Sequence, residues 1–113
     1  MLKTVSTLKE PFAGNYPGAI KISNCGKFVL VSNRGHNSIA LFEASGSEDL
    51  VLLETVKVRG DFPYDILLLD NDQKVAVCNY KSGTLEIFNF SKAEKKLLPA
   101  AEYSVKQAKA LID

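Results

Sequence analysis

The apolar positions of this chain fall into short runs, and these runs predict β-strands joined by tight loops. Each run is rich in Val, Ile, Leu and Phe, and small clusters of Gly, Asn, Asp and Ser separate it from the next. The predicted strands cover residues 19–23, 27–32, 38–43, 50–58, 65–69, 74–78, 84–90 and 97–105. Because the loops have the length of hairpin connections, we expect consecutive strands to pair antiparallel in a meander.

The strand pattern occurs twice. A shift of 46 residues superposes the second half of the chain on the first without a gap. The residues that coincide include the pairs Pro17 and Pro63, Asn33 and Asn79, and Phe42 and Phe88. Internal similarity at this period is typical of repeat proteins, in which each unit needs neighbours to cover its apolar faces. The sequence therefore predicts two four-stranded units.

The inner strands lack polar alternation, and this favours a β-propeller over a two-sheet sandwich. Residues 28–31 and 66–69 are apolar at odd and even positions alike, so both faces of these strands should be buried. Sheets stacked radially bury both faces, whereas a sandwich leaves its outer faces in water. A helix over residues 93–110 is an alternative because Lys, Glu and Ala are common there, but Pro99 and the repeat register favour a strand.

The fold class predicted for residues 1–113 is therefore all-β, with two antiparallel blades of an incomplete β-propeller. Residues 1–15 are expected to hold the outer strand of a preceding blade, over 3–8, and a link. Residues 16–61 and 62–107 are the two blades, and 108–113 begin the next inner strand. Because propellers typically need 4 to 8 blades, we expect either further blades in a longer chain or self-association of copies.

The amino-acid composition argues against two classes of binding partner, nucleic acids and membranes. The 14 basic and 13 acidic residues give a net charge of +1, which offers no electrostatic basis for binding nucleic acid or a membrane surface. No apolar run approaches the length of a membrane span, and the chain opens on a mixed segment rather than a signal-peptide core. We therefore expect a cytoplasmic protein. The two cysteines, Cys25 and Cys78, are too few for a disulfide framework.

Strand alternation predicts which loops share an edge of the blades. The loop between the second and third strands should lie beside the connection into the next blade, which brings residues 34–37, 61–65, 15–17 and 79–81 to one face. The turns at 24–26, 44–47 and 92–95 should lie opposite. The first face alone combines Arg, His, Tyr, Asp and Lys, so we expect any ligand site there.

Three segments carry a resemblance to a known family. Residues 22–28, 32–42 and 61–65 read ISNCGKF, SNRGHNSIALF and DFPYD. They resemble the seven-bladed propeller lactonases, the 6-phosphogluconolactonase family, which also includes fungal carboxymuconate-lactonizing enzymes. The chain is similar to the C-terminal third of a member. The resemblance implies hydrolysis of 6-phosphogluconolactone in the pentose phosphate route, or of a related sugar lactone. Tyr64 stands where members usually have Arg, which removes an anion contact.

Lactone hydrolysis needs a base to activate water and a donor to stabilise the oxyanion. Arg34 and His36 supply these groups on one turn, and with the resemblance we predict them as the catalytic pair. Asn33, Tyr64 and Asp65 are the predicted substrate-binding residues, and Asp65 is also a candidate to orient Arg34 or to act as the base. The alternative is that these side chains only cap strand ends or tie loops together.

No spacing in the chain supports a metal site, a phosphate-binding glycine loop or a Ser-His-Asp triad, so we expect neither a metal nor a cofactor. The expected partner is a small-molecule lactone. The alternative function is a catalytically incomplete propeller fragment that self-assembles and acts as a binding or interaction module.

Overall fold

Eight strands form two separate antiparallel sheets. The computed structural model describes residues 6–8, 14–44, 50–69 and 71–105. The strands are β1 Tyr16–Ile22, β2 Phe28–Arg34, β3 Ser38–Ala44, β4 Leu50–Lys57, β5 Pro63–Leu69, β6 Lys74–Asn79, β7 Thr84–Ser91 and β8 Lys96–Ser104. They pair in the order β1-β2-β3-β4 and β5-β6-β7-β8. The described residues contain no helix, and the all-β prediction of two four-stranded antiparallel blades is confirmed.

The predicted strands are all present, and the main difference lies at the starts of the inner strands. β1 begins at Tyr16, where the prediction began at 19, because its pairing with β2 resumes beyond an irregularity between Pro17 and Ile20. β5 likewise begins at Pro63 and has an irregularity before Asp65. Proline and glycine usually mark the end of a strand, so the sequence pattern hid these first residues. The helix considered for 93–110 is wrong over β8, and residues 106–110 lie outside the described residues.

The internal repeat extends to the details of the register. In the first sheet the pairing of β3 with β4 shifts between Leu41 and Phe42, and in the second the pairing of β7 with β8 shifts between Ile87 and Phe88. These positions are equivalent under the 46-residue shift. Each bulge bends the outer half of its blade, so both blades have the same local curvature.

The main apolar core lies between the two sheets. Leu30 and Leu41 of the first sheet pack in one cluster with Val75, Val77 and Phe88 of the second. Across this joint the rings of Phe28 and Phe90 meet edge to face, with centroids 5.2 Å apart. The inner strands β1, β2 and β5 approach closely, while the outer strands β4 and β8 diverge. The sheets thus form a wedge, which is the arrangement of neighbouring propeller blades.

The outer faces of the pair of sheets are covered unequally. Val31, Ala40 and Phe42 form a second buried cluster on the far face of the first sheet. On the far face of the second sheet, Leu67 and Leu69 are only half-buried. The predicted burial of both faces is therefore found for β2, whereas β5 is covered on the side of Ile66.

The predicted flanking strands fall mostly on residues that the structure does not describe. The start of an inner strand at 108–113 lies outside the described residues. Of the outer strand predicted over 3–8, only 6–8 are described, and these form a bend. Ser6 Oγ donates to the carbonyl of Leu8 at 2.8 Å and accepts from its amide at 3.2 Å. This local bonding competes with a strand ladder, so the prediction is wrong for these residues.

Candidate functional site

Four chain segments meet at one edge of the two sheets. We call this edge the loop face; it consists of the residues just before β1, the β2–β3 turn, the link between β4 and β5 and the β6–β7 turn. Asn15, just before β1, donates to Asn33 Oδ1 at 3.2 Å, and its own Oδ1 accepts from the amide of His36 at 3.5 Å. Lys81 in the β6–β7 turn donates its amide to the carbonyl of Asp61 in the link at 3.2 Å. The predicted grouping of these loops is therefore observed.

Asn37 joins the first blade to the link. Its Nδ2 donates to Asp61 Oδ1 at 2.9 Å, and its Oδ1 accepts from the amide of Phe62 at 2.9 Å. The carbonyl of Phe62 in turn accepts from the amide of Tyr80 at 3.0 Å. Asn37 and Phe62 both have left-handed backbones, with φ of 61° and 67°. Asn tolerates this region, but Phe adopts it rarely, so bonds on both sides hold Phe62 in place.

Arg34 lies at the end of β2 and points into the joint between the blades. Its Nε and Nη2 approach the carbonyls of Tyr16 and Pro17 at 3.4 and 3.5 Å, and its Cζ lies 5.4 Å from the centroid of the Phe62 ring. A Cβ on Gly18 would stand 2.7 Å from Arg34 Nε and 2.9 Å from Ser32 Oγ, so a larger residue there would force Arg34 or Ser32 to move. These contacts are long, and the guanidinium has five N–H donors, which leaves it capacity to bind an anion.

His36 is held in the same turn. Its Nδ1 lies 2.7 Å from Ser38 Oγ, and its carbonyl accepts from Lys57 Nζ at 2.7 Å. The pKa of His36 is lowered from 6.5, first because partial burial disfavours the charged ring and second because Lys57 is positively charged. His36 is therefore largely neutral at pH 7, the protonation state that a general base requires.

Removing the charge of Lys57 should raise the pKa of His36. We expect Lys57→Met to shift the imidazole titration to higher pH, and to shift the acid limb of any His36-dependent activity in the same direction. His36 is the single histidine of the chain, so its ring protons can be followed without assignment in an NMR titration. Lys27→Met is the matched control, because Lys27 is exposed on the turn before β2 at the opposite edge. A pKa that is unchanged or lower in Lys57→Met contradicts the assignment.

Asn33 lies beneath the surface of the loop face. It is fully buried, and its Nδ2 donates to the carbonyl of Thr7 at 3.0 Å and to Ser38 Oγ at 3.1 Å. These bonds fix the turn that carries Arg34 and His36. A direct contact between Asn33 and a substrate stays a prediction, and the geometry gives this residue a supporting position.

Tyr64 and Asp65 both lie in β5, directly after its first residue, Pro63. Tyr64 is 46% exposed, and its ring centroid is 5.9 Å from that of Tyr80. Asp65 Oδ1 accepts from the following amide at 2.9 Å, and Asp65 pairs with Cys78 in the ladder, on the far face of the second sheet. Arg34 instead lies on the side between the sheets. The predicted roles of Tyr64 and Asp65 in substrate binding stay predictions.

Sequence reasoning missed Phe62 and Lys57 as parts of the site. Nothing in a single sequence signals that Phe62 adopts a left-handed backbone, or that Lys57, at the end of β4, reaches the carbonyl of His36. Both depend on how the link folds back across the joint between the blades.

The described residues show no grouping of three or more His, Cys, Asp or Glu side chains that could hold a metal ion. Within the same residues, no helix is long and apolar enough to cross a membrane. The two cysteines are free thiols.

Comparison with known proteins agrees with the wedge of two blades. The sequence profile of the family described as "Lactonase, 7-bladed beta-propeller" matches residues 1–112. The chain belongs to the seven-bladed β-propeller lactonases. A lactonase-family relative, the 6-phosphogluconolactonase of Bacillus subtilis strain 168, is 34% identical over 98 residues, covering 85% of this chain and 28% of the relative. The chain thus spans little more than a quarter of the length of this relative.

Solved structures give the same result for the fold of this lactonase-family chain. A protein from Lactobacillus plantarum superposes with a TM-score of 0.88 at 29% identity, covering 94% of this chain and 32% of its own. The periplasmic gluconolactonase of Pseudomonas aeruginosa superposes with a TM-score of 0.79 at 24% identity, over 88% of this chain and 30% of its own. The second likeness shows the shared fold alone.

Proposed function

We propose that the protein containing this chain hydrolyses a sugar lactone at the loop face, with Arg34 and His36 as the catalytic pair. The observation that carries the proposal is the position of a neutral imidazole and a guanidinium on one turn of a lactonase-family blade. Asn33 supports this turn from below.

The chemistry follows from the two side chains. Water attacks the lactone carbonyl while His36 accepts one of its protons, so that a C–O bond forms and a tetrahedral oxyanion develops. Arg34 donates to that oxyanion. The ring C–O bond then breaks, the proton returns from His36 to the leaving alkoxide, and the product is an open-chain hydroxy acid.

The substrate that we propose is 6-phosphogluconolactone or a related sugar lactone. Its support is the Bacillus subtilis relative, which carries the name 6-phosphogluconolactonase. A place in the pentose phosphate route and a cytoplasmic location are parts of the same proposal. We propose that the exposed ring of Tyr64 contacts one side of the ligand, and that Asp65, the next residue in β5, also contributes to substrate binding.

The second candidate function is a binding module that forms when further blades complete the ring. It is favoured by the half-buried side chains of Leu67, Leu69 and Ile87 on the far face of the second sheet. In this proposal residues 16–61 and 62–107 are successive blades, and the added blades come from a longer chain or from copies of this one.

A hydrolysis assay tests the first proposal against the second. The complete protein is mixed with 6-phosphogluconolactone or with unphosphorylated gluconolactone, and acid release is followed by pH-stat near pH 7. We expect turnover above the spontaneous rate, and a loss of about a hundredfold in His36→Gln, the low end of the usual range for a general base. If the rate equals that of spontaneous hydrolysis, the hydrolase proposal is wrong and the binding module is the remaining candidate function.

A further inference from the structure

Two cationic side chains from different blades contact the same aromatic ring. Arg34 Cζ lies 5.4 Å from the centroid of Phe62, and Lys81 Nζ lies 4.6 Å from it. Both distances are within the range of cation–π attraction. Together they set an upper limit of about 10 Å on the separation of the two charges. A guanidinium and an ammonium from different blades therefore contact one ring at the mouth of the joint.

The position of Phe62 is determined by both blades. Its amide is bound by Asn37 of the first blade at 2.9 Å, and its carbonyl by the amide of Tyr80 of the second at 3.0 Å. The left-handed φ of 67° is costly for a Phe side chain, and such strain concentrates at functional sites. The structure thus holds the ring at a defined place between Arg34 and Lys81.

The two charges lack an anionic partner among the residues that the structure describes. No described ion pair involves Arg34 or Lys81. The nearest acidic residue along the link, Asp61, uses its backbone carbonyl for the amide of Lys81 and one carboxylate oxygen for Asn37. Each cation can therefore bind an anionic group of a ligand without first giving up an ion pair within the described residues.

We propose that Lys81, positioned by Phe62, forms a second anion-binding position beside Arg34 and recognises an anionic group on the substrate. This inference rests on the proposed function and names the substrate class as lactones that carry a phosphate or carboxylate. Arg34 faces the lactone carbonyl, while Lys81 binds the charge at the far end of the sugar.

Sequence comparison of the two blades agrees with a special role for this turn. Under the 46-residue shift Lys81 stands where the first blade has Gly35, and Phe62 stands where it has Tyr16. Gly35 has a φ of 104° and sits against the backbone of Gly14, so no side chain fits there. At this position of the turn, only the second blade can therefore carry a side chain.

Lys81→Gln tests the proposal, with Lys27→Gln as the matched control on an exposed lysine at the opposite edge. Two quantities are measured in the complete protein at low ionic strength: binding of inorganic phosphate and of acetate by calorimetry, and the ratio of kcat/KM for phosphorylated and unphosphorylated gluconolactone. We expect Lys81→Gln to weaken phosphate binding and to lower this ratio about tenfold, the scale of one lost charged hydrogen bond. Lys27→Gln should change neither.

A second pair of variants separates positioning from packing. Phe62→Leu should lower the same ratio, because the cations lose their shared ring, and Phe62→Tyr should restore it. Thermal unfolding shows whether the Phe62→Leu variant remains folded. If it does not, the proposal is tested by the phosphate binding and the kcat/KM ratio of Lys81→Gln alone.

The outcomes distinguish this inference from the proposed function. If lactones are hydrolysed but the ratio is unchanged in Lys81→Gln, the second anion position is wrong and the hydrolase remains. If no lactone is hydrolysed, yet phosphate binds and only Lys81→Gln weakens it, the anion position stands and the hydrolase falls. A wild-type protein that binds neither phosphate nor acetate overturns the inference. Stronger binding of acetate than phosphate would assign the site to a carboxylate.

Discussion

Replacing Arg34 by alanine is expected to reduce kcat for lactone hydrolysis by at least about a hundredfold, the usual effect of losing one oxyanion donor. The loss should fall on kcat more than on KM, because the carbonyl oxygen gains its charge only on the way to the tetrahedral state. The measurement is steady-state hydrolysis of a sugar lactone by the complete protein.

Two further variants make the Arg34 test specific. Arg34→Lys keeps the charge but loses the planar fork of donors, so we expect an activity between those of wild type and Arg34→Ala. Arg59→Ala removes a second arginine, whose guanidinium pairs only loosely with Glu102 at 3.7 Å, and should leave the rate unchanged. An Arg34→Ala protein with wild-type kcat would remove this residue from the mechanism.

The fold was predictable because the same strand pattern occurs in both halves of the chain. Each strand of one blade has a counterpart 46 residues away, so a weak pattern such as that of β8 is supported by β4. The strand starts were not predictable, because Pro17 and Gly18 interrupt the apolar pattern while the ladder continues around a bulge. Gly18 leaves space for the Arg34 side chain in its observed position, a contact between two strands that no local pattern records.

The arrangement of the candidate site residues was predictable only where they lie on a single turn. Arg34 and His36 are two residues apart, so their proximity follows from the sequence. Phe62 and Lys81 follow Arg34 in the sequence by 28 and 47 residues. They lie in the link and in the β6–β7 turn, so their positions relative to Arg34 depend on how the two blades pack. Asn33 was predicted as a substrate-binding residue, and the sequence did not indicate that its side chain is buried and bonded to the carbonyl of Thr7 in the preceding segment.

The link that carries Phe62 is anchored from below by a buried carboxylate. Glu86 of β7 is 3% exposed, and it accepts from the amide of Arg59 at 2.9 and 3.0 Å and from that of Gly60 at 3.1 Å. It also accepts from Asn79 Nδ2 at 2.6 Å. The equivalent position of the first blade is Ala40, so Glu86 has no charged counterpart in the matching strand of that blade.

Glu86→Ala is expected to lower the free energy of unfolding by about 3 kcal/mol, because two backbone amides and the Asn79 amide lose their acceptor in a buried place at about 1 to 3 kcal/mol each, with water recovering part of the loss. Urea denaturation measures the change. The control Glu102→Ala removes an exposed partner and should cost less than about 1 kcal/mol.

Glu86→Gln should fall between these two variants. With its amide oxygen in the place of Oε2 it still accepts from the amides of Gly60 and Arg59 and from Asn79 Nδ2, while its NH₂ group, in the place of Oε1, opposes the amide of Arg59. If Glu86→Ala were as stable as Glu102→Ala, the carboxylate would not be what anchors the link, and the position of Phe62 would have to depend on Asn37 and Tyr80 alone.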